Sequence, residues 1–167
     1  LFIAAQLTSG LMELSAIESV HRDIKPSNIF VNGGDCVLGD FGLLRGIADA
    51  SDHSPGAMAR NYPSPELVAY SKGGNPPGVA SDVFQLGLVL TELFTRQVPL
   101  TFDSDGITVK RLQEFGADTG RKISVVLSAM LEIDSTKRID AATAANAFAQ
   151  ILIGLMSSNV QSVGRAI

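Results

Sequence analysis

The chain has 167 residues, 46% of them apolar and only 18% Asp, Glu, Lys or Arg, which excludes intrinsic disorder, the state of weakly hydrophobic and highly charged chains. Its 13 basic and 17 acidic residues leave a net charge of −4. That is no nucleic-acid footprint, which needs clustered Lys and Arg to meet phosphates.

The first residue is Leu1 and no basic segment precedes LFIAAQL, so no signal peptide is expected and the chain reads as an internal piece of a longer protein. From Leu1 to about Ser19, apolar residues at Leu1, Ile3, Ala4, Leu7, Leu11, Leu14 and Ile17 form one stripe of an amphipathic helix. Pro26, in HRDIKPSN, places the end of that helix before it. The runs NIFV and CVLG flank NGGD, the chemistry of a hairpin turn. Cys36, the single cysteine, excludes an internal disulfide and reads as a buried strand thiol. From Asp40 to Pro65 no periodicity holds, so a long loop is expected, of the kind that usually carries function.

KGGNPPG is a second loop, after which Ser81 is expected to cap the apolar helix SDVFQLGLVLTELFT. Greasy around most of its circumference, that helix reads as central and buried on every side. Further helices are expected near Ile107–Phe115, Lys122–Leu131 and Ala141–Met156. The last is too short and too interrupted by Gln150 and Gly154 for the ~20 residues of a membrane span. The chain thus reads as one mainly α domain over residues 1–156, with a poorly anchored tail at 157–167.

The chemically reactive residues gather in His21-Arg22-Asp23-Ile24-Lys25-Pro26-Ser27-Asn28, Asp40-Phe41-Gly42 and Ser64-Pro65-Glu66. Taken singly, Asp23 and Asp40 read as turn or cap carboxylates. Together they suit phosphoryl transfer, which needs positioning and charge neutralisation more than covalent help. Asp23 can accept a hydroxyl proton, and Lys25 can reach a γ-phosphate. Asn28 and Asp40, brought together by the hairpin, supply hard oxygens suited to Mg²⁺.

HRDIKPSN, DFG and SPE, in this order and spacing, closely resemble the catalytic loop, metal-binding loop and activation-segment end of eukaryotic-type (Hanks-type) serine/threonine protein kinases. The resemblance runs from Leu1 to about Leu155. It implies the C-terminal lobe of the α+β protein kinase-like fold: a helical bundle around a central apolar helix, with a small β-hairpin carrying the two loops. It also implies ATP with Mg²⁺ (Mn²⁺ can stand in), a protein substrate, an intracellular location, and an N-terminal lobe of the same polypeptide that is missing from this chain. Phe30 resembles the apolar floor under adenine, and His21 and Phe41 resemble a packed pair; a base role for His21 is the lesser reading. Lys25 within DIKPSN points to serine/threonine rather than tyrosine kinases. Arg22 resembles an arginine that receives an activation-loop anion, for which Ser51 or Ser54, once phosphorylated, or Asp49 and Asp52 are candidates; equally, both serines can be ordinary loop polars. Asp82 resembles the aspartate that holds the catalytic loop's backbone, and Glu66 and Arg138 resemble a structural ion pair.

The sequence departs from the family pattern at Phe84, in place of tryptophan, and at Ser135, in place of proline. At Ala59, seven residues before Glu66, a bridging threonine is expected. The glycine-rich loop, its lysine and the helix glutamate of the N-terminal lobe are absent from the chain. The reading is therefore part of a serine/threonine kinase, with the isolated fragment expected to be inactive. A pseudokinase or kinase-fold scaffold is the alternative, and a small-molecule kinase the third.

Overall fold

The computed structural model describes residues 1–46, 62–97 and 112–164. Within them lie five helices and two antiparallel strand pairs.

Helix α1 (Phe2–Ala16) buries Ala4, Leu7, Thr8 and Leu11, the core of the apolar stripe. It ends earlier than the stripe suggests: Ile17 lies beyond it and is 68% exposed, and Glu18 has a φ of 51° that no helix continues. The chain then enters β1 (Ser19–Val20), which pairs with β4 (Arg45–Gly46), Ser19 opposite Gly46 and Val20 opposite Arg45. The start of the expected long loop is thus tied into a strand pair, and the part from 47 to 61 lies outside the described residues.

Strands β2 (Ile29–Asn32) and β3 (Asp35–Leu38) form the expected hairpin, with Asn32 opposite Asp35. Gly33 and Gly34 make the two-residue turn with φ of 61° and 108°, the left-handed geometry that a tight hairpin turn demands and glycine supplies. Cys36 on β3 is buried against the core, and burial pushes its thiol pKa up.

A six-residue helix, α2 (Pro65–Tyr70), follows Ser64, whose hydroxyl accepts from the Leu67 amide at 3.1 Å as the N-cap. Helix α3 (Val79–Thr95) is central, with every residue from Ser81 to Thr91 buried. Its N-cap is Gly78, so Ser81 is a helix-interior residue rather than the expected cap. The Ser81 hydroxyl instead pairs with that of Ser64 at 2.6 Å, both fully buried.

The described end of the expected 107–115 helix is a 3-10 turn at Gln113–Phe115. Helix α4 (Ala117–Met130) begins before Lys122, and α5 (Ala141–Gly164) runs past Met156. Phe84 on α3, Leu127 on α4, Phe148 on α5 and Leu7 on α1 meet in one core cluster. Phe94 stacks on Phe148 at 6.3 Å and meets the edge of Phe115 at 5.4 Å. No helix among the described residues is long and apolar enough to cross a membrane.

Candidate active site

The segment from His21 to Lys25 leaves β1 and passes over the first turns of α3. Asp82, at the start of that helix, accepts from the His21 amide at 2.6 Å and from the Arg22 amide at 2.8 Å. Arg22 has a φ of 69°, unfavourable for a side-chain-bearing residue; the bond from its amide to Asp82 holds it there. Burial pushes the Asp82 carboxyl up to about 7, against the opposing pull of the two amides and the Arg22 guanidinium.

Asp23 is 5% exposed. Its Oδ2 accepts from Lys25 Nζ at 2.6 Å and from Asn28 Nδ2 at 3.0 Å. The same amide nitrogen donates to the Asp23 carbonyl at 2.9 Å, closing a compact turn over the 3-10 segment Pro26–Asn28. The other carboxylate oxygen, Oδ1, is buried and has no hydrogen-bond partner among the described residues.

With its nitrogen committed to Asp23, Asn28 has its side-chain oxygen left as a ligand. The Gly39 amide donates to the Asn28 carbonyl at 2.9 Å. This continues the hairpin register in which Ile29 faces Leu38, so Asp40 stands one residue beyond the backbone of Asn28. Asp40 is exposed, with φ 60° and ψ 69°, and its carboxylate accepts from the Gly42 amide at a long 3.4 Å. No group of three or more His, Cys, Asp or Glu that could hold a metal occurs among the described residues. An Asn oxygen and one carboxylate nevertheless fit Mg²⁺, which binds through few protein oxygens and completes its octahedron with phosphates and water.

His21 is fully buried; its Nε2 lies 3.1 Å from the Gly39 carbonyl, and its Nδ1 accepts from the Asp23 amide at 3.4 Å. With the Asp23 amide donating to Nδ1, the ring nitrogen left to donate is Nε2, towards the Gly39 carbonyl. Phe41 packs on it with ring centroids 5.3 Å apart. Phe30 is 54% exposed and lies against residue 39, where a Cβ would come within 2.6 Å of its ring; Gly39 is what lets the ring sit there.

Arg138, its side chain inaccessible, pairs with Glu66 at 2.7 Å. It also donates to the carbonyls of Glu132 at 2.8 Å and Ala80 at 2.5 Å, and its guanidinium lies 4.8 Å from the Phe84 ring centroid. One arginine thus ties α2, the start of α3 and the loop before α5 together. Ser51, Ser54 and Ala59 lie outside the described residues.

Three polar contacts escaped the sequence reading. Tyr62 donates to Glu92 at 2.6 Å, and burial together with that carboxylate pushes the phenol up to about 12. The second is the Ser64–Ser81 pair. The third is Gln85, whose amide donates to the Tyr62 carbonyl at 2.9 Å and whose oxygen accepts from the Ile24 amide at 3.4 Å. The available signal was Ser81, Asp82 and Gln85 sharing one face of an otherwise apolar helix.

The family model described as "Protein kinase domain" matches residues 1–150. The serine/threonine-protein kinase PknL of Mycobacterium tuberculosis is 40% identical over 121 residues, which are 70% of this chain and 29% of that protein. Mitogen-activated protein kinase kinase 10 of Arabidopsis thaliana is 39% identical over 102 residues, 59% of this chain and 33% of that protein. The probable serine/threonine-protein kinase PkwA of Thermomonospora curvata is 38% identical over 112 residues, 66% of this chain and 15% of that protein. The chain belongs to the protein kinase family. It spans a third or less of the length of these relatives.

Proposed function

We propose that the chain is the C-terminal lobe of a serine/threonine protein kinase that transfers the γ-phosphate of ATP to protein hydroxyls inside the cell. The observation that carries this reading is the state of Asp23. One oxygen is held by Lys25 and Asn28, while the other is buried without a partner among the described residues. An orphaned buried acceptor costs about 1–3 kcal/mol. An acceptor hydroxyl hydrogen-bonded to Oδ1 relieves that cost and is aligned by it.

In this reading Asp23 orients the hydroxyl and takes its proton, and Lys25 carries positive charge towards the transferring phosphoryl group. Asn28 and Asp40 would hold Mg²⁺, which supplies charge neutralisation on the phosphate oxygens. Phe30 offers an apolar face to the base of the nucleotide. His21 keeps the loop in shape through Gly39 and does not serve as a base, since both of its nitrogens are engaged. Phosphorylation of Ser51 or Ser54 belongs to the same reading: a phosphate adds about −1.5 to −2 charge and acceptor oxygens that suit an arginine such as Arg22. The 167-residue chain alone, without the opposite lobe, is expected to transfer no phosphate.

The test is Asp23→Asn in the full-length protein. Transfer to a protein substrate should fall by about 10²–10⁴-fold while nucleotide affinity stays near that of the parent. A scaffold without catalysis, the reading that Ala59 favours, predicts no transfer by the parent itself.

A further inference from the structure

Gln85 is fully buried in the apolar run of α3. Burying a carboxamide is unfavourable unless both its ends are bonded, and a Leu or Met would fill the same space without that demand. Its two backbone partners come from separate segments of the site. Its oxygen meets the amide of Ile24, the residue between Asp23 and Lys25, at 3.4 Å. Its nitrogen meets the carbonyl of Tyr62 at 2.9 Å. Tyr62 is fixed a second time, through its hydroxyl, to Glu92 about two helical turns further along α3. Two residues beyond Tyr62, Ser64 is joined to Ser81. The segment leading into α2 is therefore held to α3 by three contacts from two of its residues, and of their α3 partners only Gln85 also bonds the Asp23 loop at Ile24.

We propose that Gln85 is a positioning residue whose carboxamide sets the spacing between the Asp23–Lys25 pair and the Tyr62–Ser64 backbone beside it, and through that spacing the placing of a protein acceptor at Asp23. This rests on the catalytic reading of Asp23 given above. Asp82 fixes the same loop at His21 and Arg22, so loss of Gln85 frees the Ile24 end without releasing the loop as a whole.

The test uses the full-length protein with Gln85→Met, which keeps the side chain's length, and Gln85→Asn, which keeps the amide but is too short to span both partners. Peptide-resolved amide hydrogen exchange and steady-state kinetics are measured on both, beside Asp23→Asn. Exchange should rise in the peptides holding Ile24 and Tyr62 and stay unchanged in α4 and α5. Transfer to a protein substrate should fall by about ten- to a hundredfold, more than transfer to water falls, with the KM for ATP changed by less than about twofold. Unchanged exchange at Ile24, exchange raised across the whole chain, or equal losses with protein and water as acceptors would each overturn the brace. Transfer that survives Asp23→Asn would overturn the catalytic reading instead, and the exchange data would still decide whether the brace exists.

Discussion

The two aspartates of the site are built in opposite ways. Asp23 is buried, bonded to Lys25 and Asn28, and sits in a loop fastened to α3 through Asp82, some 60 residues away in sequence. Asp40 is exposed, and its geometry comes from its own left-handed backbone and the amide of Gly42 two residues on. On the proposed function Asp23 meets a neutral hydroxyl, and such a group gains from being fixed before substrate arrives, because orientation is the larger part of what it contributes. On the same proposal Asp40 meets a cation, and such a group can be left solvated, since the ion itself organises its ligands.

That contrast breaks if the two carboxylates respond alike to neutralisation. Asp40→Asn should weaken Mg²⁺–ATP binding by at least about 10–100-fold, the scale on which losing even a group that orients a metal ligand is felt, whereas Asp23→Asn should leave it near the parent value. Nucleotide titration with and without Mg²⁺ reads the difference; equal losses would mean that both residues address the metal.

The long-range side of the comparison sharpens at Arg138. Arg138→Ala should destabilise the domain by about 3–5 kcal/mol, the cost of breaking a buried pair. Glu66→Gln should cost less, because Arg138 keeps its bonds to the carbonyls of Ala80 and Glu132. Denaturant unfolding of the single and double variants should show coupling between the two positions; simple additivity would mean that the ion pair is energetically idle.

A smaller effect lies in Asp82. Its folded-state pKa, about 7, is raised above the usual 3.8 by burial. Below about pH 4 the folded and unfolded chains both hold this proton. Between about 4 and 7 the folded chain holds it and the unfolded chain has released it, so this group makes stability fall as pH rises through that window. Asp82→Asn should flatten this part of the pH–stability curve. Midpoints of unfolding measured from pH 4 to 8 check this.

Where order depends on neighbours in sequence, it could be read directly. The stripe through Ala4, Leu7 and Leu11, the Gly33-Gly34 turn and the greasy circumference of α3 all follow from local spacing, and α1, the β2–β3 hairpin and the central helix are where that spacing puts them. The HRDIKPSN and DFG segments were legible as chemistry because their residue types are rare together. Elements fixed by distant partners were not legible. Helix α2 is only six residues long, too short to show a period. β4 exists only because Ser19 and Val20 lie beside it. Ser81 stands before an apolar run and so looks like a cap, but its hydroxyl is engaged by Ser64, 17 positions earlier. Gln85 joins two backbones 61 and 23 positions away, a role that no neighbour in sequence marks.

The separation between Glu66 and Arg138 also bears on the order of folding events. The contact closes a loop across 72 positions, and closures of that span come with an entropy loss that nearby contacts do not incur. Such a clasp forms after α3 and its neighbours have already condensed, so it contributes little to the barrier climbed on folding and much to the barrier climbed on the way out. Arg138 is in that sense a latch on lifetime: its removal should steepen the escape from the native state while leaving the rate of reaching it nearly untouched.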